Sequence, residues 1–178
     1  MPLDIGIGIL VALGCAETFS AHASLLLVLF GIACALLPDI DIVTLPLLGR
    51  WHHRSYTHYP IVYVPLVILA FLLLPSIYAA IFSIAVYAHL VHDTFGIGWG
   101  VAWLWPFSGR RFLLFPEKSR GLPSSALVVW EADAQPQPEN LAGERDWIRQ
   151  YYFQPNTVAY IEYGTLAAAL LALIAYYA

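Results

Sequence analysis

The chain has 178 residues, of which 60% are hydrophobic and 11% are charged. Soluble domains hold about 45–50% apolar and about 25% charged residues, and one of this size cannot bury so much apolar surface. The composition therefore indicates a polytopic membrane protein and excludes disordered, disulfide-rich and collagen-like chains. The formal net charge of −4 at pH 7 gives no reason to expect nucleic-acid binding.

Apolar segments predict an all-α fold, a polytopic integral membrane helical bundle that forms a single domain over residues 1–178. The segments number five and run over Leu3–Thr18, Ala21–Leu37, Tyr59–Leu74, Ser76–Thr94 and Thr157–Tyr177. Several are shorter than the ~20 residues that cross ~30 Å of hydrocarbon, so we expect a compact body in a locally thinned bilayer. No Lys or Arg precedes the first segment, which favours a retained helix over a signal peptide.

Residues 96–156 differ in composition from the apolar segments. They hold five of the six tryptophans and six of the 12 prolines. Tryptophan suits the headgroup level of a bilayer, so we predict a cytoplasmic interfacial cap on the bundle. Within it, Pro138–Phe153 is predicted to form a short amphipathic helix. The alternative role for the cap is a lid that gates access of substrate.

The positive charges predict the orientation in the membrane. With five spans, one face receives all eight Lys and Arg residues, namely Arg50, Arg54, Arg110, Arg111, Lys118, Arg120, Arg145 and Arg149. Because cytoplasmic loops of membrane proteins are rich in Lys and Arg, this face is predicted to be cytoplasmic. The N-terminus lies on the same face and the C-terminus outside.

Ionisable residues near membrane depth are costly and are therefore functional candidates. Three clusters occur, at Leu37–Asp41, His52–His58 and His89–Asp93, and the five-span topology places all three on the cytoplasmic side. His89 and Asp93 are one helical turn apart, so their side chains share a face. Taken singly, each cluster has a structural explanation: a helix end in water, interfacial histidines, or a buried hydrogen-bonded pair. His22 and Glu17 lie on the opposite face and are predicted to be structural or solvent-facing.

Together the clusters predict a metal site. The mixed oxygen and imidazole donors suit Zn²⁺, Mn²⁺ or Fe rather than Ca²⁺, with zinc favoured. The candidate ligands are Asp39, Asp41, His53, His58, His89 and Asp93. They outnumber the ligands of one tetrahedral metal, so we expect two ions, bridged by the carboxylate of Asp93 or Asp41. Such sites hydrolyse phosphoesters or amides with a metal-activated water.

Four motifs in order resemble the YdjM-type membrane-bound metal-dependent hydrolases over about residues 1–115. They are Leu-Leu-Pro-Asp-Ile-Asp at 36–41, His-Arg-x-x-Thr-His at 53–58, His-x-x-x-Asp at 89–93 and Leu-Trp-Pro-Phe at 104–107. The resemblance implies a helical inner-membrane hydrolase and the same six ligands, with Arg54 and Thr57 in the other fixed places. The chain departs from the family at Asp4, where members often have histidine, and at Tyr59, where serine is usual. Asp4 is thus a further candidate ligand, while His52 and His92 flank the pattern without belonging to it.

We therefore predict a membrane-embedded hydrolase with Arg54, Thr57 and Asp93 as its catalytic residues. Arg54 would hold an anionic substrate group, because a guanidinium makes a bidentate pair with phosphate. A site at headgroup depth favours a lipid or lipid-linked phosphoester as substrate. The alternatives are an ion transporter, a non-catalytic metal-binding membrane protein, and a structural subunit stabilised by metal.

Overall fold

The computed structural model describes residues 2–44, 56–96, 100–116, 125–130 and 152–178. Within these ranges the chain is mostly helical, with a single pair of strands. The α-helices are α1 (Pro2–Thr18), α2 (Leu25–Leu36), α3 (Pro60–Leu73), α4 (Ser76–His92) and α5 (Thr157–Tyr177). Two 3₁₀ helices cover Leu37–Thr44 and Tyr56–His58, and the strands are β1 (Arg111–Leu114) and β2 (Leu127–Trp130).

Each predicted apolar segment contains a helix, and the largest difference in length is at α2. The prediction began at Ala21, but the helix begins after Ser24, whose side chain accepts a hydrogen bond from the N–H of Leu27. Serine is a favoured N-cap because its oxygen satisfies an amide that has no partner within the helix. α2 then gives way to the 3₁₀ helix that begins at Leu37 and includes Pro38.

Within the described residues, α5 is the one helix long and apolar enough to cross a membrane by length and composition. It has 21 residues, which at about 1.5 Å per residue span about 31 Å. The other four have 12 to 17 residues. These lengths correspond to about 18–26 Å, less than the ~30 Å hydrocarbon core. The predicted five-span topology is therefore not confirmed.

α1 is the central helix of the bundle and packs against α2, α4 and α5. Glycines on both helices allow the close approach of α1 to α2. A Cβ atom at Gly8 would lie 2.5 Å from the Cα of Ile32 in α2, and one at Gly31 would lie 2.4 Å from the carbonyl oxygen of Gly8. Close backbone contact through small residues is typical of helix packing in membranes. The main core lies around α1 and includes Ile9 and Ala12.

The outer surfaces of the helices are strongly apolar. In α3 only Pro60 and Tyr63 are buried, whereas Ile68, Phe71 and Leu72 are among the exposed side chains. A contiguous apolar surface of this kind is unusual for a soluble protein and marks contact with another protein or with lipid.

Part of the predicted cap is β-structure, so the prediction of an all-α fold was wrong in this region. β1 and β2 pair antiparallel, with Arg111 opposite Trp130 and Leu114 opposite Leu127. β1 is also bridged by Phe95 and Val101 from the segment that follows α4. The β-branched and aromatic content of these short stretches suits a half-buried pleated surface. Most of the predicted Pro138–Phe153 helix lies outside the described residues.

Candidate metal centre

Four predicted ligands converge at one end of the bundle. Asp39 lies in the 3₁₀ helix after α2, His58 ends the 3₁₀ helix before α3, and His89 and Asp93 lie at the end of α4. One ligand atom from each lies within 4.8 Å of the others. We call Asp39, His58, His89 and Asp93 the metal cluster.

The distances within the metal cluster are short and even. His58 Nε2 lies 3.1 Å from Asp93 Oδ2, 3.4 Å from Asp39 Oδ1 and 3.4 Å from His89 Nε2. His89 Nε2 lies 3.5 Å from the same oxygen of Asp93 and 3.7 Å from that of Asp39. Both imidazoles therefore direct Nε2 toward the two carboxylates.

These separations fit a shared divalent metal. Four ligand atoms about 2.0–2.1 Å from Zn²⁺, at the corners of a tetrahedron, lie about 3.3–3.4 Å from one another. Five of the six pairwise separations range from 3.1 to 3.7 Å around that value, and all six lie within 4.8 Å. The donors are deeply placed, since His58 is 0% and Asp93 4% exposed. Buried carboxylates need a compensating positive charge, which a divalent ion supplies.

Asp4 contacts the ring nitrogen of His89 that faces away from the metal cluster. This nitrogen, Nδ1, lies 3.0 Å from Asp4 Oδ1, and both side chains are 1% exposed. A carboxylate accepts hydrogen bonds only, so it favours the tautomer with hydrogen on Nδ1 and a lone pair on Nε2. The geometry thus favours Asp4 as the partner of a ligand rather than as a ligand itself.

Asp41 contacts His58 less directly, through the hydroxyl of Thr57. The Nδ1 atom of His58 lies 3.6 Å from Asp41 Oδ2 and 3.1 Å from Thr57 Oγ1, and the Thr57 hydroxyl donates to that same Asp41 oxygen at 3.0 Å. Asp41 was predicted as a ligand, yet its carboxylate faces the nitrogen of His58 opposite the metal cluster. The geometry favours a role for Asp41 and Thr57 in orienting the ring.

Aromatic side chains fix the segments that carry the ligands. The Tyr63 hydroxyl donates to the Thr57 carbonyl at 2.7 Å, next to His58. Trp103 Nε1 donates to Thr94 Oγ1 at 2.9 Å, next to Asp93. Loops that carry ligands are held in one conformation by such bonds.

Two further residues near the site were not among the predicted ligands. His92 Nδ1 lies 3.4 Å from Asp4 Oδ1, and His92 Nε2 lies 3.5 Å from Glu162 Oε1. Glu162 is 1% exposed in the second turn of α5. The signal for Glu162 was present in the sequence, because it is the single charged residue of an apolar segment, and such residues are functional candidates.

The remaining predicted site residues are His53 and Arg54, which lie outside the described residues, as does the flanking His52. His22 lies away from the metal cluster, where its ring contacts those of Tyr176 and Tyr177. Within the described ranges, one group of side chains is arranged to hold a metal ion. The expectation of two ions stays a prediction.

Comparison with known proteins gives one match. The model of a family described as YdjM inner membrane protein matches residues 4–178, nearly the whole chain. No curated protein sequence and no solved structure matches the chain significantly.

Proposed function

The chain belongs to the YdjM inner membrane protein family, and on this premise we propose that it is a membrane-embedded, metal-dependent hydrolase. The observation that carries the proposal is the convergence of Asp39, His58, His89 and Asp93, with both histidines presenting Nε2. When bound, a divalent metal supplies Lewis-acid activation of water and of a phosphoryl oxygen.

The residues of the chain have separate roles in this proposal. The metal cluster holds the ion, while Asp4, Asp41 and Thr57 orient its two histidines. Asp39 has the most accessible carboxylate of the cluster, with 12% of its side chain exposed, so water and substrate approach from its side. Arg54 binds an anionic group of the substrate through its planar guanidinium.

We further propose a lipid or lipid-linked phosphoester as the substrate class. The metal cluster forms where helices begin or end, and the helices around it expose apolar side chains to their surroundings. A substrate with an acyl or prenyl chain can stay in the bilayer while its phosphate reaches such a site. We retain the topology of five spans with a cytoplasmic site, on the strength of the positive charges.

A specific observation also favours a second candidate, a metal-stabilised membrane protein without catalysis. Four protein ligands complete a tetrahedral Zn²⁺ shell, and closed shells are typical of structural sites, whereas catalytic sites keep one position open. For hydrolysis, the four side chains would have to hold an ion that also accepts a water, as Mn²⁺ or Fe²⁺ can. Coordination number separates the two candidates.

The test uses the full chain purified in lipid nanodiscs. We expect about stoichiometric or higher metal content, an X-ray absorption spectrum with more than four ligands, and turnover of a lipid phosphodiester that chelation abolishes. A metal-loaded protein with four ligands and no turnover of mono- or diesters would establish the structural alternative. A protein that binds none of Zn²⁺, Mn²⁺ and Fe²⁺ would refute both.

A further inference from the structure

Glu162 is an anomaly in the helix that carries it. α5 has 21 mostly apolar residues, and Glu162 is its one charged side chain, 1% exposed. A buried carboxylate is costly unless its oxygens receive hydrogen bonds. The groups that contact its two oxygens therefore indicate why this carboxylate is buried.

The two oxygens of Glu162 face two different helices. Oε2 accepts a hydrogen bond from the backbone N–H of Leu3 at 2.9 Å, in the first turn of α1. Oε1 lies 3.5 Å from His92 Nε2, at the end of α4. The first turn of a helix has amides without partners inside the helix, and a carboxylate there also faces the positive end of the helix dipole.

Both contacts lead to Asp4. Leu3 directly precedes Asp4 in the chain, and the other ring nitrogen of His92 lies 3.4 Å from Asp4 Oδ1. The same oxygen lies 3.0 Å from Nδ1 of His89, a member of the metal cluster. Glu162 thus reaches His89 by two short routes that meet at Asp4, one through backbone and one through an imidazole.

We propose that Glu162 is a positioning residue for the metal centre, acting on His89 through His92 and Asp4. It fixes the first turn of α1 and the His92 ring, and these hold the Asp4 carboxylate 3.0 Å from His89 Nδ1. The Nε2 atom of His89 is then kept aimed at the metal cluster. The C-terminal helix thereby contributes to a site whose ligands all lie before residue 94.

This inference rests on the proposed metal site, and the expected loss of metal affinity follows from the distance between Glu162 and the ligands. Loss of a group that hydrogen-bonds a metal ligand costs about 10–100-fold in metal affinity. Glu162 acts one contact further away, so we expect its loss to weaken binding by about 10-fold, at the lower end of that range.

The experiment measures the Zn²⁺ dissociation constant of the full chain in nanodiscs by competition with a chromophoric chelator. Glu162→Gln keeps an oxygen for the Leu3 amide but offers His92 an NH₂ group, which cannot accept a hydrogen bond. We expect about 10-fold weaker binding. His92→Asn, at a position with a 22% exposed side chain, breaks the imidazole route alone and should also weaken binding.

A matched control separates positioning from packing. Ala169 is 0% exposed on the same helix and packs in the main core, so Ala169→Val should lower thermal stability while leaving the Zn²⁺ affinity within about twofold. If Glu162 only secured α5 to α1, Glu162→Gln would behave like this control.

Double variants test the route. If Glu162 acts through Asp4, then in an Asp4→Asn background Glu162→Gln should have little further effect, whereas its effect should multiply with that of Thr57→Val beside His58. Unchanged affinity in both Glu162→Gln and His92→Asn, or losses that multiply with Asp4→Asn, would overturn the inference. A wild-type protein that binds none of Zn²⁺, Mn²⁺ and Fe²⁺ would instead refute the proposed metal site itself.

Discussion

At the scale of residues, each histidine of the metal cluster works through both ring nitrogens. His58 and His89 aim Nε2 at Asp39 and Asp93, and each has a carboxylate near Nδ1 on the other side of the ring. A carboxylate behind a ligand histidine fixes the tautomer and raises the basicity of the ligand. The acidic residues of this site therefore divide into those that face the Nε2 atoms of the metal cluster and those near the Nδ1 atoms behind it.

This division predicts what single ligand variants do. His58→Ala, His89→Ala and Asp39→Ala each remove one of four converging donors, so we expect metal affinity to fall by more than the ~100-fold that loss of an outer partner costs. Elemental analysis after dialysis measures the retained metal. His22→Ala, whose ring contacts tyrosines away from the site, should keep its metal. Full metal content in all three ligand variants would contradict the assignment.

Kinetics can test the proposed role of Arg54. If it binds the substrate, Arg54→Lys should retain metal but lose catalytic efficiency, because lysine lacks the planar fork that pairs with phosphate. Loss of one charge-assisted bidentate contact, about 2–4 kcal/mol, lowers kcat/KM by about 30- to 1000-fold. If it instead orients a ligand, metal affinity should fall by about 10–100-fold. Unchanged metal affinity and unchanged turnover would exclude both roles.

At the scale of elements, the α1–α2 crossing depends on glycine, which has no side chain, at the point of contact. A methyl group at Gly8 would lie 2.5 Å from the Cα of Ile32, so the helices must separate to admit it. Gly8→Ala should therefore destabilise the fold by about 1–3 kcal/mol. Thermal unfolding in detergent, followed by circular dichroism, measures the change.

Gly14 provides the matched control in the same helix. Nothing lies within 4 Å of a Cβ atom built there, and alanine is a better helix former than glycine by about 1 kcal/mol. Gly14→Ala should thus leave the unfolding temperature unchanged or raise it. Equal losses of stability at both positions would mean that the close approach at Gly8 does not determine the effect.

At the scale of the whole molecule, the site residues lie near alternate helix ends. Asp4 is near the start of α1, Asp39 follows α2, His58 precedes α3, Asp93 caps α4, and Glu162 is near the start of α5. Their contacts place these five ends together. Successive helices must then run in opposite directions, which supports the proposed five-span arrangement with the metal cluster at one face.

Reporter fusions test this topology. With the site cytoplasmic, green fluorescent protein fused before Met1 should fluoresce, and alkaline phosphatase fused after Ala178 should be active, because the latter folds only outside the cytoplasm. Green fluorescent protein fused after Ala178 should not fluoresce, and alkaline phosphatase fused before Met1 should be inactive. Fluorescence from fusions at both termini would contradict the odd number of spans, and an inverted pattern at both ends would contradict the orientation predicted from the positive charges.

The sequence by itself determined the membrane class, the helical segments and the family, because composition, apolar runs and motif order are local properties of the chain. It also selected Asp39, His58, His89 and Asp93, since polar residues beside apolar segments are conspicuous. The β1–β2 pair was missed, because strands of four residues within a mixed segment give little periodic signal.

Only the tertiary structure decided which carboxylates lie in the metal cluster and which lie behind its histidines. Asp39 and Asp41 are equivalent donors in the sequence, two residues apart, and their roles separate once the 3₁₀ helix directs one to Nε2 and the other to Nδ1 of His58. Likewise, Glu162 joins the site through contacts with residues 70 to 159 positions away in the chain. Long-range packing sets such contacts, and no local pattern encodes them.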